Sequence, residues 1–285
     1  MALTLGQARP RNRERTDGPD LGLLAAVLVL GVTALAVVWP ALLAPADPIQ
    51  ADPARALIPP GPEALLGTDQ LGRDILTRIV HGARYSLLAG LASTALGLVI
   101  GVPLGVLTGM LDGVGNEVGL RLIDVLSAFP GILLALVVIA ITGPGPVGLV
   151  LALGSALVPT FTRLVRAETR RVHRSAYVEQ ARTMGLGPLR IAWRHVLPNT
   201  LRALPAIATI AIAGAILGAA SLSFIGLGAQ PPSPEWGALL AEGRNHLRTA
   251  WWLSVFPGLA LAVVAVAINT VGRRLQRRLD RKAPE

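Results

Sequence analysis

Cysteine is absent from the 285 residues. That excludes disulfides and thiolate metal sites, and it says little about compartment. Lysine occurs once, at Lys282, and Ala283 follows it. A phosphate-binding loop of the form G-x-x-x-x-G-K-[ST] needs its lysine to reach the phosphates. No such loop exists here, so any ATP that powers this chain is hydrolysed on another one. There is no G-x-S-x-G, which leaves a hydrolase nucleophile elbow unsupported. His81, His173, His195 and His246 are scattered, form no H-E-x-x-H and read as surface polar residues. Charge is also sparse. Only 15% of residues carry it, against about 25% in a soluble domain.

What is present instead is apolar. The chain is 52% hydrophobic, with a mean hydropathy of +0.58. Residues 21–46, 86–111, 125–162, 203–234 and 249–272 contain no Asp, Glu, Lys or Arg. A span needs roughly 20 apolar residues to cross about 30 Å of hydrocarbon. Four of the runs suit one helix each. The run 125–162 is too long for one, and Gly143-Pro144-Gly145-Pro146 breaks it near the middle. The expectation is an all-α polytopic membrane protein with six transmembrane helices. Continuous Leu/Ala/Val runs do not show the alternation of a membrane barrel. The first run, 21–43, follows a 20-residue basic head and exceeds the roughly 7–15 residues of a signal core. It is expected to stay as an uncleaved span.

The +9 net charge does not point to nucleic acid, because its placement follows the spans. With the N-terminus inside, the head 1–20, the turn near Asp112–Arg121, the loop 163–203 and the tail 273–285 share 20 of the 26 basic residues. The positive-inside rule then puts both termini and the loop in the cytoplasm. An extracytoplasmic segment covers 44–84, and a core of five helices covers 85–272.

The loop is the most basic segment, with nine arginines from Arg163 to Arg202 against Glu168 and Glu179. Topology and anionic-lipid contact explain part of that excess. They do not explain its order. Ser175–Met184 reads as a helix capped by Ser175, Gly185 as a left-handed C-cap, and Pro188 as the first turn of a second helix. Leu189, Ile191, Ala192, Trp193, Val196 and Leu197 give that second helix an apolar side, and Pro198 is expected to end it. The expected unit is helix, glycine hinge, helix at the membrane surface. Such a unit suits either an interfacial amphipathic element or a docking element for a partner.

Other signals are weaker. Gly97, Gly101, Gly105 and Gly109 form one stripe on the second span, suited to close packing against another helix of this chain or of a partner. Ala211, Ala215 and Ala219, with Gly214 and Gly218, suggest a similar face on the fifth. Pro103 kinks the second span or is absorbed by packing. Asp124 is the one acid in the predicted spans, and it is either functional or paired with Arg121. With no second acid there, neither a proton relay nor a cation cage is expected. Gly143-x-Gly145-x-x-Gly148 matches a dinucleotide fingerprint only in form, because no strand precedes it. Leu71–Val80 is a possible short surface helix capped by Thr68 or Asp69. Trp236 suits a membrane interface.

Four ordered segments carry a resemblance. Glu179-Gln180-Ala181 with Gly185 and Leu197-Pro198 resembles the EAA loop of permease subunits of bacterial ABC importers. Leu66–Asp74 (LGTDQLGRD), Asp124–Leu126 with Ala128-Phe129-Pro130, and Leu222–Pro232 (LSFIGLGAQPP) with Pro234-Glu235-Trp236-Gly237 resemble the dipeptide/oligopeptide/nickel branch, C-type subunit. Phe256–Leu259 and Asn269 fit the same pattern. The likeness runs from about Glu63 to Gly272. Gln180 departs from the family's Ala, and the basic tail is heavier than usual.

The resemblance implies a transport subunit of the bacterial inner membrane that is not itself an enzyme. It implies pairing with a second homologous permease, two ATPase subunits beneath and an extracytoplasmic substrate-binding protein above. It implies no cofactor on this chain, with ATP and Mg on the ATPases. It makes the loop the coupling element, with Glu179, Ala181 and Gly185 at the contact. Tyr177, Met184 and Leu186, their neighbours, are candidate apolar anchors. The implied cargo is peptides, with nickel complexes or other small solutes as the alternative. From other classes, an ATP-independent channel or secondary transporter and a membrane-anchored scaffold also remain open.

Overall fold

The computed structural model describes residues 21–111, 114–202 and 204–280. The basic head 1–20, Asp112 of the predicted turn and the last tail residues 281–285 lie outside the described residues. Among the described residues the chain is helical, with two isolated bridges in place of any strand. The helices are α1 Leu21–Val38, α2 Ile75–Met110, α3 Val114–Ala128, α4 Gly131–Thr142 and α5 Pro146–His173. There follow α6 Ala176–Thr183, α7 over 188–201, α8 Leu204–Phe224, α9 Trp236–Gly243 and α10 Trp252–Asp280. Five of them (α1, α2, α5, α8 and α10) are long and apolar enough to cross a membrane. The α3–α4 pair makes a sixth span if it is counted as one. Leu24, Leu28, Val99 and Ile141 stand exposed on these helices, as lipid-facing residues do.

Three local expectations change. The predicted third span is not one straight helix, because α3 and α4 meet at 89°. The break falls at Phe129-Pro130. Proline disfavours the α region for the residue before it, and α4 restarts at once, with Leu134 N–H donating to Pro130 O. The predicted surface helix Leu71–Val80 is not separate. Its second half forms the first turns of α2, which runs 36 residues without interruption and absorbs Pro103. The cap is Asp74, whose carboxylate accepts from Thr77 N–H at 2.8 Å, and not Thr68 or Asp69. The basic tail, finally, continues α10 as far as Asp280.

The glycine stripe decides how α2 packs. A methyl group on Gly97, Gly101, Gly105 or Gly109 would stand 2.8, 2.8, 2.7 or 2.6 Å from Leu157, Phe161, Val165 or Thr169 respectively. Both series step by four residues along α2 and α5, so two i±4 rows interlock. The close packing is therefore intramolecular. On α8 the match is partial. Ala215 and Ala219 are buried, but Gly214 is exposed, with nothing within 4 Å of a built Cβ.

Two buried clusters hold the spans together. Ala36, Ala83, Ile216, Trp236, Leu261 and Ile268 join α1, α2, α8, α9 and α10. Ala135, Ile139, Leu149, Ala152, Ala219 and Leu222 join α4, α5 and α8. The Gly143–Pro146 turn between α4 and α5 has Gly143 and Gly145 at positive φ, as a tight link requires. No strand accompanies its dinucleotide-like spacing among the described residues.

Candidate functional site

The Arg-rich loop folds as a small unit with its own core. Val172 at the end of α5, Val178 and Ala181 of α6, and Ile191 and Val196 of α7 are buried together, with Leu186 and Met110 of α2 packed against them. Val178 and Val196 are fully buried. The turn between α6 and α7 is a complete Schellman motif. Gly185 has φ +79°, its N–H donates to Arg182 O at 2.9 Å, and Leu186 N–H donates to Ala181 O at 3.2 Å. These bonds satisfy carbonyls that the helix end would leave open. Pro188 opens α7 as expected. Ser175 occupies the cap position, but its hydroxyl donates backward to Val172 O and does not cap α6.

Pro198 does not end the second helix. It lacks the N–H that would donate to Arg194 O, and its ring crowds that carbonyl. The chain meets this with a π-helical turn over Ala192–Val196, where Leu197 N–H donates to Ala192 O, and then continues to Leu201. Sequence reasoning also missed Asn199, which ties α7 to α6. Its amide donates to Tyr177 Oη at 3.0 Å and to His195 O at 2.7 Å. Arg182 donates to the His173 ring, which fastens α6 to α5.

This fold sorts the candidate residues. Glu179, Met184 and Gly185 are exposed, and Met184 is 79% accessible. Tyr177 is exposed at its ring and held through its hydroxyl. Ala181 is internal, and Leu186 is half-buried against the loop core. Gln180, the departure from the family pattern, points outward. Leu189 and Trp193 do not join the buried side of α7, standing 73% and 67% exposed. Together with Met184 they give the loop an outward apolar surface among arginines. Asp124 is exposed on α3 and makes no ion pair with Arg121 among the described residues.

The opposite end of α2 carries a second unit that sequence reasoning missed. Asp69 and Arg73 bond at 2.6 Å, and Arg78 reaches Asp69 and Glu242 of α9, both at 2.7 Å. Arg73 also reaches Glu242, at 3.1 Å. Arg78 is fully buried and Asp69 and Arg73 nearly so. Two cations and two anions leave this cluster neutral, as burial demands. Beside it, the buried Glu235 carboxylate caps α9 through Gly237 and Ala238 N–H and accepts from Ser86. Trp236 is 2% exposed, not interfacial, and its indole donates to Ile79 O. Trp252 donates likewise to Thr68 O. The LGTDQLGRD segment is thus a folded cap clasped to α2, α9 and α10. Among the described residues no cluster of His, Asp and Glu suits a metal ion.

Comparison with known proteins agrees with this architecture. Residues 101–283 match the family model described as binding-protein-dependent transport system inner membrane component. The chain is 41% identical to the di/tripeptide transport system permease protein DppC of Pseudomonas aeruginosa, over 92% of this chain and 88% of that one. It is 42% identical to the glutathione transport system permease protein GsiD of Pectobacterium atrosepticum, over 76% and 72%. Among solved structures, the fold resembles a chain of the inward-facing MetNI methionine ABC transporter, with a TM-score of 0.59 at 21% identity, covering 71% of this chain and 96% of that one. An apolar helical bundle, an ordered loop at one end and these relatives agree. This chain belongs to the binding-protein-dependent transport system inner membrane component family, the permease subunits of ABC importers.

Proposed function

We propose that this chain forms half of a transmembrane pathway for small peptides and couples it to separate ATPase chains through the loop 163–203. Two relatives named for di/tripeptide and glutathione transport, each above 40% identity, support the peptide class. The observation that carries the coupling role is the loop itself. It is a two-helix unit that keeps Glu179, Met184, Leu189 and Trp193 outside a core of its own. A segment that only fixed topology needs arginines but not a Schellman turn or a buried core. ATP-driven closure of the ATPases supplies the difference in interaction between two states that any switch requires. The loop faces the cytoplasm, where the excess of basic residues lies. A second homologous permease completes the pathway, and a substrate-binding protein meets the opposite side, where the cap lies. Family membership favours this assignment over an ATP-independent channel.

The decisive experiment is a pull-down from native membranes with residues 175–197 intact or scrambled. Intact loops bring down a second permease and two ATPases, and scrambling removes the ATPases. Equal recovery in both cases defeats the assignment. Peptide uptake into vesicles, driven by internal ATP, tests the cargo.

A further inference from the structure

A groove runs between α1 and α10 on the outer surface of the bundle. One part, about 300 Å³, is apolar and formed by Ala25, Ala26 and Val29 of α1 with Ala262, Val263 and Ala267 of α10. The next part, about 270 Å³, shares Val266 and Thr270 with the first and is otherwise lined by Leu23, Asn269, Arg273, Arg277 and Arg274, which already has a partner of its own. The two parts adjoin along α10 at these shared residues. Arg273 and Arg277 are exposed one turn apart and form no ion pair among the described residues.

Scale and chemistry select the occupant. From Ala262 to Arg273 is eleven residues, or about 17 Å of helix rise. Half of a hydrocarbon core of about 30 Å is roughly 15 Å. A chain laid in the apolar part thus spans one leaflet and delivers its head to the guanidinium groups. Two guanidinium forks one helical turn apart suit phosphate oxygens. A free phosphate has no use for the apolar slot, and a zwitterionic lipid brings no net charge to balance the arginines.

We propose that this groove binds one anionic glycerophospholipid, with an acyl chain against Ala25, Ala26 and Val263 and the phosphate on Arg273 and Arg277. Basic pockets between spans at the membrane surface bind such headgroups. The site is separate from the docking loop, and its test does not depend on transport.

The assembled transporter is placed in nanodiscs of phosphatidylglycerol and phosphatidylcholine, and retained lipid is counted by native mass spectrometry. Phosphatidylglycerol is retained and phosphatidylcholine is not. In the Arg273→Gln/Arg277→Gln double variant, retention falls about thirtyfold. It also falls in Ala25→Phe, which fills the slot without touching charge, and it persists in Arg278→Gln, outside the slot. Size-exclusion profiles confirm that each variant is folded. Three outcomes overturn the proposal: retention unchanged in the double variant, an equal loss in Arg278→Gln, or retention that appears only after residues 1–20 are removed. The second marks a diffuse basic tail, and the third marks a groove already occupied by the chain's own acidic residues Glu14, Asp17 and Asp20.

Discussion

Gly185 and Arg78 show two opposite ways in which one residue holds a unit together. Gly185 meets nothing within 4 Å of a built Cβ, so its requirement is conformational alone. A side chain at φ +79° costs about 1–2 kcal/mol, least for asparagine. Gly185→Val is expected to insert normally and to abolish ATP-driven uptake, while Gly185→Asn keeps most of it. Wild-type uptake from the valine variant defeats the hinge role. Arg78 is held by contacts alone. Its removal leaves the two carboxylates of Asp69 and Glu242 to share Arg73 as their one cation, and Arg78→Met is expected to cost about 3–5 kcal/mol. Thermal unfolding in detergent measures this. The glycine was legible because the residues around it spell a helix end. The Arg78–Glu242 pair was not, because 164 residues separate the partners and sequence shows no distance. Ala181 shows a role the motif did not reveal. Its place in the motif suggested contact with a partner, and in the fold its small side chain lies in the loop core with Val178, Ile191 and Val196.

Among the elements, α2 and α5 were the most legible and α3 the least. Four glycines at intervals of four announced close packing, and the structure supplies the opposing row on α5. Gly101→Leu or Gly105→Leu is expected to part these helices and to lower the yield of folded protein severely. Gly214→Ala, at an open position, leaves the yield of the isolated chain unchanged. Comparable yields of folded Gly105→Leu and wild type contradict the packing. The 89° break at Phe129-Pro130 was present in the sequence as a proline inside an apolar run, but hydropathy outweighed it there. The π turn before Pro198 reverses the usual rule. Here the helix survives its proline by widening one turn, a route that tertiary contacts through Asn199 and Val196 hold in place.

For the whole molecule, the absence of cysteine becomes an experimental advantage. Each introduced thiol is the only one in the chain. Thr249→Cys and Met184→Cys are expected to react with a membrane-impermeant maleimide from opposite sides of right-side-out vesicles, Thr249→Cys without lysis and Met184→Cys only after it. The reverse pattern inverts the proposed orientation. Hydropathy and charge placement made the membrane class and the order of spans legible. The folded cap was hidden, because prolines between Pro45 and Pro62 suggested irregular chain, while its order comes from distant anchors on α9 and α10.

The uninterrupted α2 joins the two units that sequence reasoning treated apart. Its first turn enters the buried charge cluster through Arg78, and its last residue, Met110, rests on the core of the loop. Thirty-six residues make a lever about 54 Å long. If the loop end is pushed and the cap end acts as fulcrum, a tilt of about 10° sweeps Met110 through roughly 9 Å over that length. The same geometry works in reverse. A ligand that steadies the cap is therefore expected to stiffen the loop through this single piece of backbone, which slower amide exchange at Met110 and Val178 on adding that ligand would measure.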